Sequence, residues 1–184
     1  MTTQFLKRKA LGVFCGAAAG KSKVYEEMTI ELGEYLAAEK IDLVYGGGNV
    51  GLMGILADTV MNNGGQVYGV IPGFLMEKEL AHKKITELFV VDSMHERKSK
   101  IYDLSHAFLA LPGGMGTLDE MCEVLTWAQL NRHNKKCGLY NGNGFYDSFL
   151  MQLELMDREG FLRSKLSENP HVIKNIYEIS RLWN

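Results

Sequence analysis

Ala107-Phe108-Leu109-Ala110-Leu111-Pro112-Gly113-Gly114-Met115-Gly116-Thr117-Leu118-Asp119-Glu120 decides how the rest of the chain is read. Ala107 to Leu111 is apolar throughout, and a strand with no polar face is tolerated only in a sheet covered on both sides. A glycine-rich turn follows. From Thr117 to Leu130 apolar residues return at helical spacing, so the unit reads strand, tight loop, helix.

The same unit recurs to either side. Leu11 to Cys15 is a strand ended by Gly16, and Ser22 to Glu39 is a helix with Val24, Met28, Leu32, Tyr35 and Leu36 on one face. Ile41 to Tyr45 runs into Gly46-Gly47-Gly48 and then a helix over Gly51 to Asn63. Gln66 to Ile71 and Lys84 to Val91 are two more strands, separated by Pro72-Gly73 and a short helix around Met76 to His82. Met94 to Leu104, Tyr146 to Arg158 and Val172 to Trp183 read as helices, and Gly138 to Tyr140 as a strand. Buried strands alternating with helices imply an α/β fold, a Rossmann-like, doubly wound parallel sheet flanked by helices. Ligands of such sheets bind beyond the carboxyl ends of the strands. The loops 16–22, 46–51, 72–73, 92–97 and 112–117 should therefore share one rim.

Length and composition agree with a single domain over 1–184. The chain has 184 residues, 46% of them hydrophobic and 23% charged, which excludes disordered and fibrous classes. A formal net charge of −2 gives no global attraction to nucleic acid or an anionic membrane, so any anion site is local. Cys15, Cys122 and Cys137 are too few and too scattered for a disulfide framework or a metal clip, and are expected to be reduced thiols in a cytoplasm. No membrane span or signal segment is expected, Met1 to Lys9 being polar and basic.

Chemistry concentrates in three places. In the loop 112–117, three glycines let backbone amides approach a ligand while the helix N-terminus adds partial positive charge, a cradle for phosphate. Its spacing is neither that of a Walker loop nor G-x-G-x-x-G. A structural account competes: Thr117 capping the helix, with Glu120 three positions on closing a capping box. Second, Ser93 and Glu96 form another capping box that puts Arg97 and Lys98 in a first helical turn, where cations oppose the dipole. Either a bound anion or nearby carboxylate relieves that conflict, or the two are solvated side chains. Third, Gly46 to Gly51 and Gly16 to Ser22 could wall a nucleotide pocket or be ordinary turns. His95 has no second ligand at metal spacing, and no metal is expected.

PGGMGTLDE resembles the PGGxGTxxE signature of the LOG ("lonely guy") family, long labelled "possible lysine decarboxylase". MHERK, GGGNVGLMG, VFCG and EVLTWAQL match that family too, and the likeness runs from Leu11 to about Leu155. The resemblance implies a Rossmann-like homodimer that hydrolyses the N-glycosidic bond of nucleoside 5′-monophosphates. The substrates it implies are cytokinin riboside monophosphates and AMP, giving free base and ribose 5-phosphate. By position it makes Arg97 and Glu120 the catalytic pair. Gly113, Gly114, Gly116 and Thr117 hold the phosphate, and Lys98, Glu79 and Thr126 assist substrate binding. No cofactor is implied: a decarboxylase would need pyridoxal phosphate and a Schiff-base lysine, and no lysine stands out for that role.

Two departures from the family pattern stand out. Ala17-Ala18-Ala19 replaces residues that are often serine, removing a hydroxyl contact, and Glu77 replaces the usual proline before Lys78-Glu79-Leu80. A non-catalytic binding protein for a phosphorylated ligand, of the molybdenum-cofactor-carrier type, is the competing class. It has no need of both Arg97 and Glu120.

Overall fold

The computed structural model describes residues 8–162 and 169–183, so most of the polar segment Met1 to Lys9 lies outside the described residues. Seven parallel strands form one sheet in the order β4-β3-β2-β1-β5-β6-β7. In chain order the elements are β1 (Ala10–Phe14), α1 (Lys23–Ala38), β2 (Asp42–Tyr45), α2 (Gly51–Asn62), β3 (Val67–Pro72), β4 (Glu87–Val91), α3 (Met94–Leu104), β5 (Ala107–Ala110), α4 (Met115–Gln129), β6 (Cys137–Tyr140), α5 (Asp147–Arg158) and β7 (His171–Ile173). Short 3₁₀ helices cover Gly73–Leu75 and Ile176–Trp183.

The chain winds leftward from β1 to β4, then crosses by α3 to β5 on the other side of β1 and continues to β7. The order reverses between β1 and β5, whose registers pair Leu11 with Ala107 and Phe14 with Ala110. Loops leaving these two strands part to opposite faces, which opens a crevice at their carboxyl ends.

Both faces are buried, as the unbroken apolar runs require. Leu32, Leu36, Leu56 and Val60 of α1 and α2 pack with Leu11, Leu43 and Leu109 on one face. Ile101, Met121 and Val124 of α3 and α4 pack with Phe14, Val44 and Phe108 on the other. β4 is the exception, an edge strand that leaves Val90 exposed.

Three expectations change. The helix expected over Val172 to Trp183 divides into β7 and a 3₁₀ helix, because His171, Val172 and Ile173 pair with Gly138, Leu139 and Tyr140 and complete the sheet. Val172 and Ile173 precede an apolar periodicity that belongs only to Ile176, Ile179 and Leu182, all buried. The segment around Met76 to His82 forms turns rather than a helix. The helix after the glycine loop begins at Met115, two residues before Thr117.

The loop leaving β5 is fixed from below. Tyr146, buried at the start of α5, donates its hydroxyl to the Leu111 carbonyl at 2.6 Å, and its own amide donates to Asn141 Oδ1 at 2.7 Å. Tyr146→Phe is expected to leave that buried carbonyl unpaired at a cost of about 1–3 kcal/mol. A melting temperature lower by several degrees in calorimetry is the expected result, and an unchanged one would show that the bond contributes nothing.

Candidate active site

Four of the five rim loops are joined by hydrogen bonds. Gly16 N–H donates to Pro112 O at 3.1 Å, Leu52 N–H to Gly16 O at 3.0 Å, and the Arg97 guanidinium to Gly46 O at 2.8 Å. A cleft of about 440 Å³ opens at the switch point between the loops 16–20 and 112–114, with Tyr25 and Phe145 on its wall. Those two rings meet edge to face at 5.6 Å.

The N-terminus of α4 faces this rim uncapped. Gly114 is the N-cap, no side chain accepts from the first turn, and no acidic residue lies in it. The first amides of a helix have no partner within it, so this end is a concentration of donors and partial positive charge. A Cβ at Gly114 or Gly116 would meet nothing within 4 Å. Packing within the chain therefore does not require glycine at either position. Gly113 differs: a Cβ there would overlap the Thr117 hydroxyl.

The capping-box account of Thr117 and Glu120 is overturned. Thr117 is the third residue of α4 and buried, and Glu120 lies in the second turn, its carboxyl making no hydrogen bond among the described residues. Burial pushes the Glu120 carboxyl up from 4.5 to about 7, the Arg97 charge pulling it down and Glu79 pushing it further up. A half-buried, unbonded carboxyl that titrates near neutrality is a recurrent property of functional acids.

Arg97 comes from the first turn of α3, whose cap is Ser93: its hydroxyl accepts from Glu96 N–H at 3.2 Å. The return bond of the box lands one residue early, on Asp92 N–H at 3.0 Å. Arg97 is 5% exposed, and one of its terminal nitrogens donates to both Gly46 O and Glu79 Oε2, the latter at 3.1 Å. The alternative of a solvated side chain is excluded: Glu79 and the Gly46 carbonyl compensate the charge that opposes the helix dipole. A Cβ at Gly46 would collide with the guanidinium where it stands, so any larger residue there displaces Arg97. The Arg97 Nε–H is buried without a partner among the described residues, leaving one donor of the fork unused.

Lys98 lies close by but is occupied. Its ammonium contacts Asp119 at 2.8 Å and Glu123 at 3.3 Å, both on α4. Burial opposes its charge, and these carboxylates overcome that and raise its pKa above the ordinary value. Lys98 thereby fastens α3 to α4, which keeps Arg97 and Glu120 in register. Thr126 stands apart: it is exposed, donates its hydroxyl to Cys122 O at 2.7 Å, and lies about 9 Å further along α4 than Glu120.

Sequence reasoning missed Glu123, Asp58 and His82. The i, i+4 spacing of Asp119 and Glu123 was an available signal for the first. Nothing local marks Asp58 or His82, which meet across 24 residues with His82 Nε2 3.0 Å from Asp58 Oδ1.

The reversed strand order and the crevice at its switch point define a Rossmann-like α/β protein, while Glu120 lines a separate small pocket beside Lys98, Glu123 and Trp127 rather than the crevice itself. Comparison with known proteins gives the particular family. The sequence pattern described as "possible lysine decarboxylase" matches residues 53–182. Over 151 residues the chain is 49% identical to a probable cytokinin riboside 5′-monophosphate phosphoribohydrolase of Oryza sativa subsp. japonica, covering 82% of this chain and 62% of that protein. Over 156 residues it is 47% identical to a cytokinin riboside 5′-monophosphate phosphoribohydrolase of Arabidopsis thaliana, covering 85% and 73%. The chain belongs to this family, the LOG family. It spans about three fifths to three quarters of the length of these relatives. In fold it is similar to the molybdenum cofactor carrier protein of Chlamydomonas reinhardtii, with a TM-score of 0.71 at 20% identity over 96% of this chain and 99% of that one.

Because the Glu120 pKa is raised on folding, the folded protein holds a proton between pH 4.5 and about 7 that the unfolded chain has released. Its contribution to stability is therefore most favourable below that window and is lost as pH rises through it. Glu120→Gln is expected to match the wild type near pH 4 and exceed it above pH 7, by up to about 3 kcal/mol at ~1.4 kcal/mol per pKa unit. Urea unfolding at the two pH values measures this; equal pH dependence in both proteins would place the Glu120 pKa at its ordinary value.

Proposed function

We propose that the chain is a phosphoribohydrolase that cleaves the N-glycosidic bond of a nucleoside 5′-monophosphate, a cytokinin riboside monophosphate or AMP, to give free base and ribose 5-phosphate. One observation carries this reading: an uncapped helix N-terminus with open glycines lies one turn before a half-buried, unbonded carboxyl. The names of its relatives point the same way.

The 5′-phosphate sits on the amides of Gly114, Met115 and Gly116, with Gly113 and Thr117 shaping the loop. This anchoring places the ribose beside Glu120 and converts binding energy into orientation. As the bond to the base lengthens, positive charge builds on the sugar, and the ionised Glu120 stabilises it. The same carboxylate takes a proton from the water whose oxygen bonds to the anomeric carbon, while the electron pair of the breaking bond leaves with the base. Arg97 favours the ionised Glu120 through its charge. Glu79 compensates Arg97, and Lys98 supports the substrate indirectly by holding α3 on α4. Thr126 contributes at the outer edge of the site.

The carrier alternative rests on likeness of fold alone and gives no role to Glu120. The family resemblance also supports a homodimer, with Val90, Met115 and Met151 as exposed apolar residues available for contact. Cys15, Cys122 and Cys137 are all free thiols, which supports a reducing, cytoplasmic setting. No helix among the described residues is long and apolar enough to cross a membrane.

Glu120→Gln is expected to lower release of adenine from AMP by about 10²-fold or more, measured by chromatography of free base. An undiminished rate would remove Glu120 from the chemistry. Adenosine, which has no phosphate for the cradle, is expected to turn over at under about a hundredth of the AMP rate; equal rates would refute the phosphate assignment. Light scattering at micromolar concentration is expected to give twice the chain mass, and a monomer would overturn the dimer.

A further inference from the structure

The segment from Gly73 to Thr86 carries Glu79, yet it adds little to either apolar core. His82 is the only buried residue in that stretch, and Phe74 and Leu80 are each 59% exposed. An open cleft of about 530 Å³ runs between the segment and α2, lined by Asn49, Asp58, Met76 and Glu77 among others. Apart from Ile85 at its end, which packs against the core, apolar packing does little to hold the segment in place, and hydrogen bonds do most of it.

Those bonds cluster around Glu79. Asn49 N–H donates to Glu79 O at 2.9 Å and to Leu80 O at 3.1 Å, and His82 N–H donates to Gly47 O at 2.9 Å. Leu80 between them has φ +46°, a left-handed conformation unfavourable for a branched side chain, which persists only where its surroundings impose it. A Cβ on Gly48 would lie 3.2 Å from both the Cβ and the carbonyl oxygen of Glu79, so Glu79 rests directly on the glycine backbone.

The His82 ring makes a further connection, besides the Thr86 hydroxyl, which accepts from Val67 N–H at 2.9 Å and donates to Met61 Sδ of α2 at 3.7 Å. Its Nδ1 accepts from Lys84 N–H at 3.3 Å, which leaves the proton on Nε2, and Nε2 donates to Asp58 Oδ1 at 3.0 Å. A buried ring thus bridges the middle of the segment to α2, three residues from the carboxylate that compensates Arg97.

We propose that Asp58 and His82 are positioning residues: their hydrogen bond fastens the 73–86 segment to α2, and so keeps Glu79 against Arg97 and Arg97 in its orientation at the reacting sugar. This rests on the phosphoribohydrolase reading for its effect on turnover, and on the geometry alone for its effect on the segment. Neither residue touches substrate.

Asp58 is exposed on α2, so Asp58→Ala keeps the fold, and Asp58→Asn retains the accepting oxygen. In Asp58→Ala, hydrogen exchange at the amides of Asn49 and His82 is expected to rise about tenfold while β1 and β5 amides are unchanged. The Arg97 Nε–Hε resonance should shift. For AMP, kcat is expected to fall about tenfold with KM within about threefold, since the phosphate cradle is untouched and orientation is lost. Asp58→Asn should restore all three to near wild type. Unchanged exchange and an unmoved Arg97 signal in Asp58→Ala would overturn the proposal, and so would a loosened segment with undiminished kcat. If the wild type frees no base from any nucleotide, the phosphoribohydrolase reading fails, while exchange and the Arg97 resonance still decide whether the pair holds the segment.

Discussion

A guanidinium almost wholly removed from water is the constraint around which this rim is organised. A buried charge is tolerated only when paired and hydrogen-bonded, and Arg97 obtains its partners from two elements remote in sequence, the end of β2 through Gly46 O and the 73–86 segment through Glu79. The glycine at position 46, the docking of Glu79 on Gly48 and the hydrogen bond between Asp58 and His82 all serve that pairing. Its positive charge then reaches Glu120 on α4, where burial alone would hold the proton more tightly still.

The other half of the site follows from an omission. Helices commonly begin with a side chain that accepts from their first turn; α4 begins with Gly114 and has none. The donors of that helix end therefore have no side-chain partner at the point where the strand order reverses and the loops of β1 and β5 part. The uncapped helix end and the Glu120 carboxyl lie on one short stretch of one helix, which is the arrangement the proposed phosphoribohydrolase reading draws on.

Much of this was legible in the sequence, unevenly. Wholly apolar runs such as Ala107 to Leu111 implied a doubly covered parallel sheet, since burial on both faces leaves no polar alternation. Ser93 and Glu96 marked the start of α3 correctly because capping is local. Thr117 and Glu120 offered the same spacing and misled: helix α4 starts two residues earlier, where glycines permit the turn, and a capping pattern carries no information about whether it is used. β7 was hidden because three residues beside a periodic segment have no pattern of their own; their pairing with β6 decided them.

Alternation of strand and helix and the glycine loop were written in the chain itself, since they depend on composition and spacing over a few residues, whereas Arg97, Lys98 and Glu120 were singled out by the resemblance of MHERK and PGGMGTLDE to a known family. Tertiary structure alone decided that Arg97 is buried against Glu79 and Gly46, that Lys98 is bound to Asp119 and Glu123, and that Asp58 meets His82. Such partners are set by the order of strands in the sheet, and hydrogen bonds and charge pairs act across distances in space that sequence separation does not measure.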